Sequence, residues 1–157
     1  MKKILKLLLS VSLVLALTGC ATQRTATYQK IIDMEYATAT DTQTIDATGN
    51  KVIRVKEVVE VEFSDSLSAM EKSIYIMDFE NNFKQLKDKN LEGVSIDYLR
   101  DGDIFKVTLD INTTSCDLKQ LSDIGLYTGN KTPEDGDKIS FKGSCKMLEE
   151  EGYTLVE

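Results

Sequence analysis

Apolar and polar residues alternate along four parts of the chain, and this period of two predicts antiparallel strands. Residues 31–36 alternate first, and residues 38–45 can prolong that strand. Residues 52–63 alternate most regularly and pair most simply with the strand before them, across a turn rich in Gly and Asn. The pattern therefore predicts a first hairpin.

A second hairpin follows further along the chain. Residues 94–98 and 105–111 alternate on either side of Asp101 and Gly102, and an Asp-Gly pair between two such runs is a strong turn signal.

Between the two hairpins, apolar residues recur at helical spacing. Ser68 and Glu71 can form a capping box at the start, and Gly93 ends the segment. The apolar set contains Leu67, Met70, Ile74, Met77, Phe79, Phe83 and Leu86. We expect the helix to bury this set on the sheet, and the alternative is an apolar groove for a lipid or peptide.

A last helix is predicted over residues 138–151, ended by Gly152. The resulting order is ββαββα. It predicts an α+β domain with an antiparallel sheet of about four strands, covered on one face by two helices.

The N-terminus has the pattern of a secretory signal. Three lysines precede an apolar run over residues 7–17, which is shorter than the roughly 20 residues that span a bilayer. The boundary resembles the lipobox of bacterial lipoproteins, in which a diacylglycerol is attached to the cysteine and the chain is cut just before it. The boundary residues are Leu17, Thr18, Gly19 and Cys20.

This resemblance divides the chain into three parts. Residues 1–19 are expected to be a lipoprotein signal peptide, residues 20–27 the lipidated Cys20 with a flexible tether, and residues 28–157 a single domain. The anchor implies a place in the cell envelope, on a membrane and facing away from the cytoplasm.

The net charge of the chain limits the classes of partner that it can bind. The chain has 19 Lys and Arg against 26 Asp and Glu, a net charge of −7, and no His. An acidic domain does not suit nucleic acid, whose phosphates need a basic face. Because His is absent, the usual general base and the commonest metal ligand are missing. We expect no catalytic residues, no cofactor and no metal.

Two further cysteines remain in the domain. Outside the cytoplasm, Cys116 and Cys145 suggest a disulfide, and the alternative is two free thiols. Carboxylate clusters at residues 101–103 and 134–137 could hold Ca²⁺, but both occur where a turn needs Asp and Gly. We expect turns rather than metal sites.

The order of elements resembles the YehR-like family of small bacterial lipoproteins, a domain of unknown function. The features that carry the resemblance are the lipobox at Cys20, residues 49–52, the helix after Phe63, residues 105–111 with 117–119, and residues 147–153. The resemblance implies a lipid-anchored extracytoplasmic domain and brings no active-site residues. The pair Cys116 and Cys145 is not expected as a family-wide feature.

Three functions remain open on the sequence. The first is a non-enzymatic binding or interaction lipoprotein with an envelope protein partner. The alternatives are a carboxylate-based or metal-dependent envelope hydrolase and a carrier of an apolar ligand.

Overall fold

An antiparallel sheet dominates the fold. The structure, a computed structural model, describes Val14–Leu15, residues 22–127 and residues 137–156. In these parts the sheet has eight strands. The strands are β1 (Val14–Leu15), β2 (Gln23–Met34), β3 (Ala37–Thr48), β4 (Lys51–Phe63), β5 (Val94–Asp101), β6 (Ile104–Asn112), β7 (Ile139–Ser140) and β8 (Thr154–Leu155). The helices are α1 (Ala69–Lys87), α2 (Leu118–Asp123) and α3 (Phe141–Glu150).

The five long strands lie in the order β2-β3-β4-β6-β5, and each neighbouring pair is antiparallel. The short strands extend the edges. β8 pairs with β2, β7 pairs with the start of β4, and β1 pairs with β7. The chain crosses the sheet once through α1, from the end of β4 to the outer strand β5.

The helices α1 and α3 lie on the same face of the sheet. The Phe79 ring of α1 stacks on Phe105 of β6, with 5.6 Å between ring centroids. Leu148 of α3 is fully buried, and Tyr153, just after α3, reaches Asp41 of β3. The opposite face carries threonines and cross-strand ion pairs, such as Arg54 with Asp110.

Two interactions fix the first turn of α1, a capping box and an ion pair. The predicted capping box is confirmed, since the Ser68 hydroxyl accepts from Glu71 N–H while the Glu71 carboxylate accepts from Ser68 N–H. Lys72 points under the helix and its ammonium lies 2.6 Å from Asp103 in the turn between β5 and β6. This ion pair ties α1 to the second hairpin.

Among the residues whose burial the structure describes, every buried apolar residue of the core lies between Ala26 and Tyr153. The leader contributes only the two-residue strand β1 to the described part of the sheet. Because hydrophobic burial is the main driving force of folding, we expect the chain from Cys20 onward to fold without the leader.

The predicted sheet of about four strands under two helices, in ββαββα order, is wrong. Residues 31–36 and 38–45 belong to two different strands, and the chain reverses at Glu35 and Tyr36. This turn contains no Gly, Pro, Asn or Asp, which are the residues that usually mark one. The inward face of β3 also alternates weakly, because Asp41 and Gln43 occupy two of its buried positions.

Two predicted boundaries also change. Residues 23–27, assigned to a flexible tether, lie in β2, and the carbonyl of Thr22 accepts from Gly49 N–H. The last helix begins at Phe141 rather than at residue 138, because residues 139 and 140 form β7. The rest of the predicted signal peptide, Cys20 and the acidic residues 134–136 lie outside the described residues.

Candidate functional site

Two carboxyl groups are buried side by side under the helical layer. Asp41 on β3 is 0% exposed and Glu57 on β4 is 1% exposed. The strands place Gln43 opposite Glu57 and Asp41 opposite Val59, so Asp41 and Glu57 are diagonal neighbours on the inward face. We call Asp41 and Glu57 the buried carboxyl pair.

Hydrogen bonds close this cluster from above. The Tyr153 hydroxyl donates to Asp41 Oδ2 at 2.5 Å. The Gln43 amide nitrogen lies 3.4 Å from Glu57 Oε1 and 3.3 Å from the Tyr153 oxygen. Tyr153 therefore joins the C-terminal segment to the middle of the sheet.

Burial raises the pKa of both carboxyl groups. The pKa of Asp41 rises to about 6, although hydrogen bonds from Tyr153, Glu57 and Gln43 and the charge of Lys30 oppose the shift. Burial raises the pKa of Glu57 well above its usual range, and the nearby charge of Asp41 raises it further. Both shifts favour the protonated form of the pair, and the stronger burial effect on Glu57 favours Glu57 as the carrier of the proton.

A proton shared by the pair also explains why two buried carboxyl oxygens lack a hydrogen bond from any other group. Asp41 Oδ1 and Glu57 Oε2 have no hydrogen-bond donor from any other group in the part of the chain described here. Two carboxylates cannot satisfy each other, but a protonated Glu57 can donate to Asp41. One proton shared by Asp41 and Glu57 would give both carboxyl groups a hydrogen bond.

Side chains of β2 make further contacts with α3 and with the C-terminal segment above the buried carboxyl pair. The Tyr28 hydroxyl donates to Glu149 Oε1 at 3.1 Å and also contacts the thiol of Cys145. The Lys30 ammonium lies 5.4 Å from the centre of the Tyr153 ring and donates to the carbonyl of Glu151 at 2.6 Å. These contacts hold α3 and the C-terminal segment over the carboxyl pair.

A second feature lies on α1, which is apolar on both of its faces. Ile76, Phe79 and Phe83 are buried against the sheet. Met70, Ile74 and Met77 are 76%, 54% and 59% exposed. The expectation that the helix buries its whole apolar set is therefore wrong for these three residues, which we call the α1 stripe. Their spacing of four and three residues places them on one line along the solvent side.

The structure places the two cysteines of the predicted disulfide on different elements, without a bond between them. Cys116 lies in the loop after β6, Cys145 lies on α3 next to Tyr28, and both are free thiols here. Their disulfide stays a prediction, which thiol titration of the unreduced protein tests. Residues 101–103 form the tight turn between β5 and β6, with Gly102 at a φ of 60°. In the residues described, no group of three or more Cys, Asp or Glu is arranged to hold a metal ion.

The sequence analysis did not select Asp41 or Glu57. A signal for Glu57 exists, because it takes an inward position between Val55 and Val59 in the regular alternation of β4. Asp41 gives no comparable signal, since β3 has few apolar residues with which to define its inward face.

Comparisons with known proteins give information on the fold of the chain and none on its function. No protein-family model and no curated protein matches the chain. The chain is similar to a solved NMR structure of a protein from Streptococcus pneumoniae TIGR4, with a TM-score of 0.53 and 18% identity over 90% of each chain. This likeness shows a shared fold alone, and the resemblance to YehR-like lipoproteins stays a prediction.

The residues that the structure describes include the three helices α1, α2 and α3. None of them combines the length and the apolar character that crossing a membrane requires.

Proposed function

We propose that the protein is a lipid-anchored extracytoplasmic binding lipoprotein without enzymatic activity. Cys20 carries the lipid, and the domain meets an envelope protein partner through the α1 stripe. The charged and apolar pattern of the leader, with the lipobox ending at Cys20, supports the anchor.

One relationship in the fold supports this proposal: the start of β2, which follows Cys20 closely in sequence, and the α1 stripe lie at opposite ends of the sheet. β2 begins at Gln23, three residues after Cys20, and its 12 residues cover about 40 Å in an extended strand. At its far end, the Tyr36 ring stacks on Tyr75 of α1 with 4.4 Å between centroids. Tyr75 follows Ile74 of the stripe directly, so a domain anchored at Cys20 presents the stripe away from the membrane.

The hydrolase alternative has one observation in its favour, which is the buried carboxyl pair with raised pKa values. A hydrolase must bring substrate and water to such a pair. Solvent does not reach Asp41 or Glu57, and Tyr153 covers them. The geometry favours a structural role for this pair.

The carrier alternative needs a cavity between α1 and the sheet. A cavity of about 220 Å³ does lie between the end of α1 and β5, lined by residues such as Leu86, Leu91 and Ile96. This volume is smaller than the roughly 300–1,000 Å³ of typical ligand pockets. Stacked rings of Phe79, Phe83 and Phe105 fill the middle of the same interface.

Cell fractionation tests the anchor. Wild-type protein should sediment with membranes, resist a salt wash and be released by detergent, whereas Cys20→Ser should lose the membrane association. Cys116→Ser is the matched control and should behave like wild type. Equal membrane retention of wild type and Cys20→Ser would overturn the proposal.

A further inference from the structure

The α1 stripe has acidic residues on both of its sides. Glu71 and Asp78 follow one side of the line formed by Met70, Ile74 and Met77, and Glu80 follows the other. Lys72 does not offset them, because its ammonium is held beneath the helix by Asp103. The outward charges in this half of α1 are therefore all negative.

From this surface we infer the chemistry of its partner: the α1 stripe docks an amphipathic segment of another protein, with apolar side chains flanked by Lys or Arg. The inference deepens the proposed function, since it names the class of partner for the far end of the anchored domain. Unbranched Met side chains adapt to the shape of an apolar partner, and basic flanks would meet Glu71, Asp78 and Glu80.

The same charges disfavour binding of the α1 stripe to a second copy of the chain or to a membrane. Two copies that meet stripe to stripe would bring Glu71, Asp78 and Glu80 of both chains together, and like charges at an interface are repulsive. An anionic bilayer would repel this rim in the same way. The stripe also lies at the end of the sheet opposite the start of β2.

The stripe is narrow, so binding should be weak and sensitive to salt. From Met70 to Met77 the helix rises about 10 Å. Such a contact buries far less than a standard protein interface, and its ionic part is screened at physiological salt.

A labelled synthetic peptide tests the inference. The probe is an amphipathic peptide of Leu and Lys at helical spacing, and its control replaces every Lys with Glu. Binding is measured by fluorescence anisotropy on the chain from residue 20 onward, carrying Cys20→Ser, which keeps every buried core residue that the structure describes. Because this experiment needs no lipid, its outcome is separate from that of the fractionation.

The expected result is that the Leu–Lys peptide binds and the Leu–Glu peptide does not. The combined variant Met70→Gln, Ile74→Gln, Met77→Gln should raise Kd about tenfold or more. Ile31→Gln with Leu99→Gln changes two equally exposed apolar residues on the open sheet face and should leave Kd unchanged. Asp78→Asn with Glu80→Gln should raise Kd and reduce its dependence on salt.

Three results would overturn the inference. The first is equal binding of the Leu–Lys peptide by the stripe variant and the open-face control. The second is binding of the Leu–Glu peptide as strongly as the Leu–Lys peptide. The third is a wild-type dimer in sedimentation that the stripe variant abolishes, which would assign the stripe to a second copy. NMR shift changes on the unsubstituted chain, expected at residues 70–81, give the same answer if a variant is unstable.

Discussion

The hydroxyl of Tyr153 donates a hydrogen bond of 2.5 Å to Oδ2 of Asp41, although the two residues lie 112 positions apart in the chain. This bond ties the segment after α3 to β3, an inner strand of the sheet. It also gives the buried Asp41 carboxylate a hydrogen-bond donor. Without such a donor, burying a carboxylate among apolar side chains costs stability.

Tyr153→Phe removes that donor while keeping the ring. Asp41 Oδ2 then loses its shortest hydrogen bond inside the core, so we expect the free energy of unfolding to fall by about 1–3 kcal/mol. Urea denaturation measures the change. Tyr98→Phe, on a half-buried ring that stacks on Phe105, is the control and should cost less. Equal effects of the two substitutions would contradict the role of Tyr153.

Glu57→Gln tests the proton held by the buried carboxyl pair. The pKa of folded Glu57 is raised, so the stability from its protonated form is fully present below the unfolded pKa of about 4.3 and is lost as pH rises towards the folded pKa. The Gln side chain does not ionise, and its amide can donate to Asp41 Oδ1. The wild-type free energy of unfolding should therefore fall, relative to the variant, by up to about 1.4 kcal/mol per pH unit above that pH.

Urea denaturation at a series of pH values from acid to mildly alkaline measures this difference. Glu62→Gln, at an exposed position of the same strand, is the control and should follow the wild-type curve. Wild-type and Glu57→Gln stabilities that stay parallel across the series would contradict a buried proton.

The two faces of α1 should differ in what they contribute to stability. Phe83→Ala opens a cavity against Phe105 and should cost about 3–5 kcal/mol. Met77→Ala, on the exposed stripe, should stay within about 0.5 kcal/mol of wild type. Thermal or urea unfolding of both variants measures the contrast. A large loss for Met77→Ala would mean that the stripe packs inside the folded domain.

Two glycines with similar backbone angles should respond differently to alanine. Gly93 and Gly102 have φ values of 71° and 60°, so both substitutions bear a left-handed conformation that costs about 1–2 kcal/mol. At Gly93 an added Cβ would also lie 2.9 Å from the carbonyl oxygen of Asn112, whereas nothing lies within 4 Å of one at Gly102. Gly93→Ala should therefore lower Tm distinctly more than Gly102→Ala, and equal shifts would contradict this difference in packing.

Local patterns predicted several elements of the fold. The capping box at Ser68 and Glu71, the turn at Gly102 and the strand over residues 52–63 each depend on residues close in sequence. Strand β3 could not be separated from β2 in the same way, because the turn at Glu35 and Tyr36 uses no typical turn residue.

The site was harder to predict because it depends on long-range register. Asp41 and Glu57 become neighbours only through the pairing of β3 with β4, and Tyr153 reaches them from the other end of the chain. Helical spacing alone also could not tell which side of α1 packs on the sheet, since both of its faces are apolar.

The central claim is that Cys20 is the lipid-bearing first residue of the mature protein, and intact-mass measurement of protein purified from membranes tests it most directly. We predict the mass of the chain that starts at Cys20, increased by a diacylglycerol on its thiol. The mass of an unmodified chain that still begins at Met1 would contradict the claim.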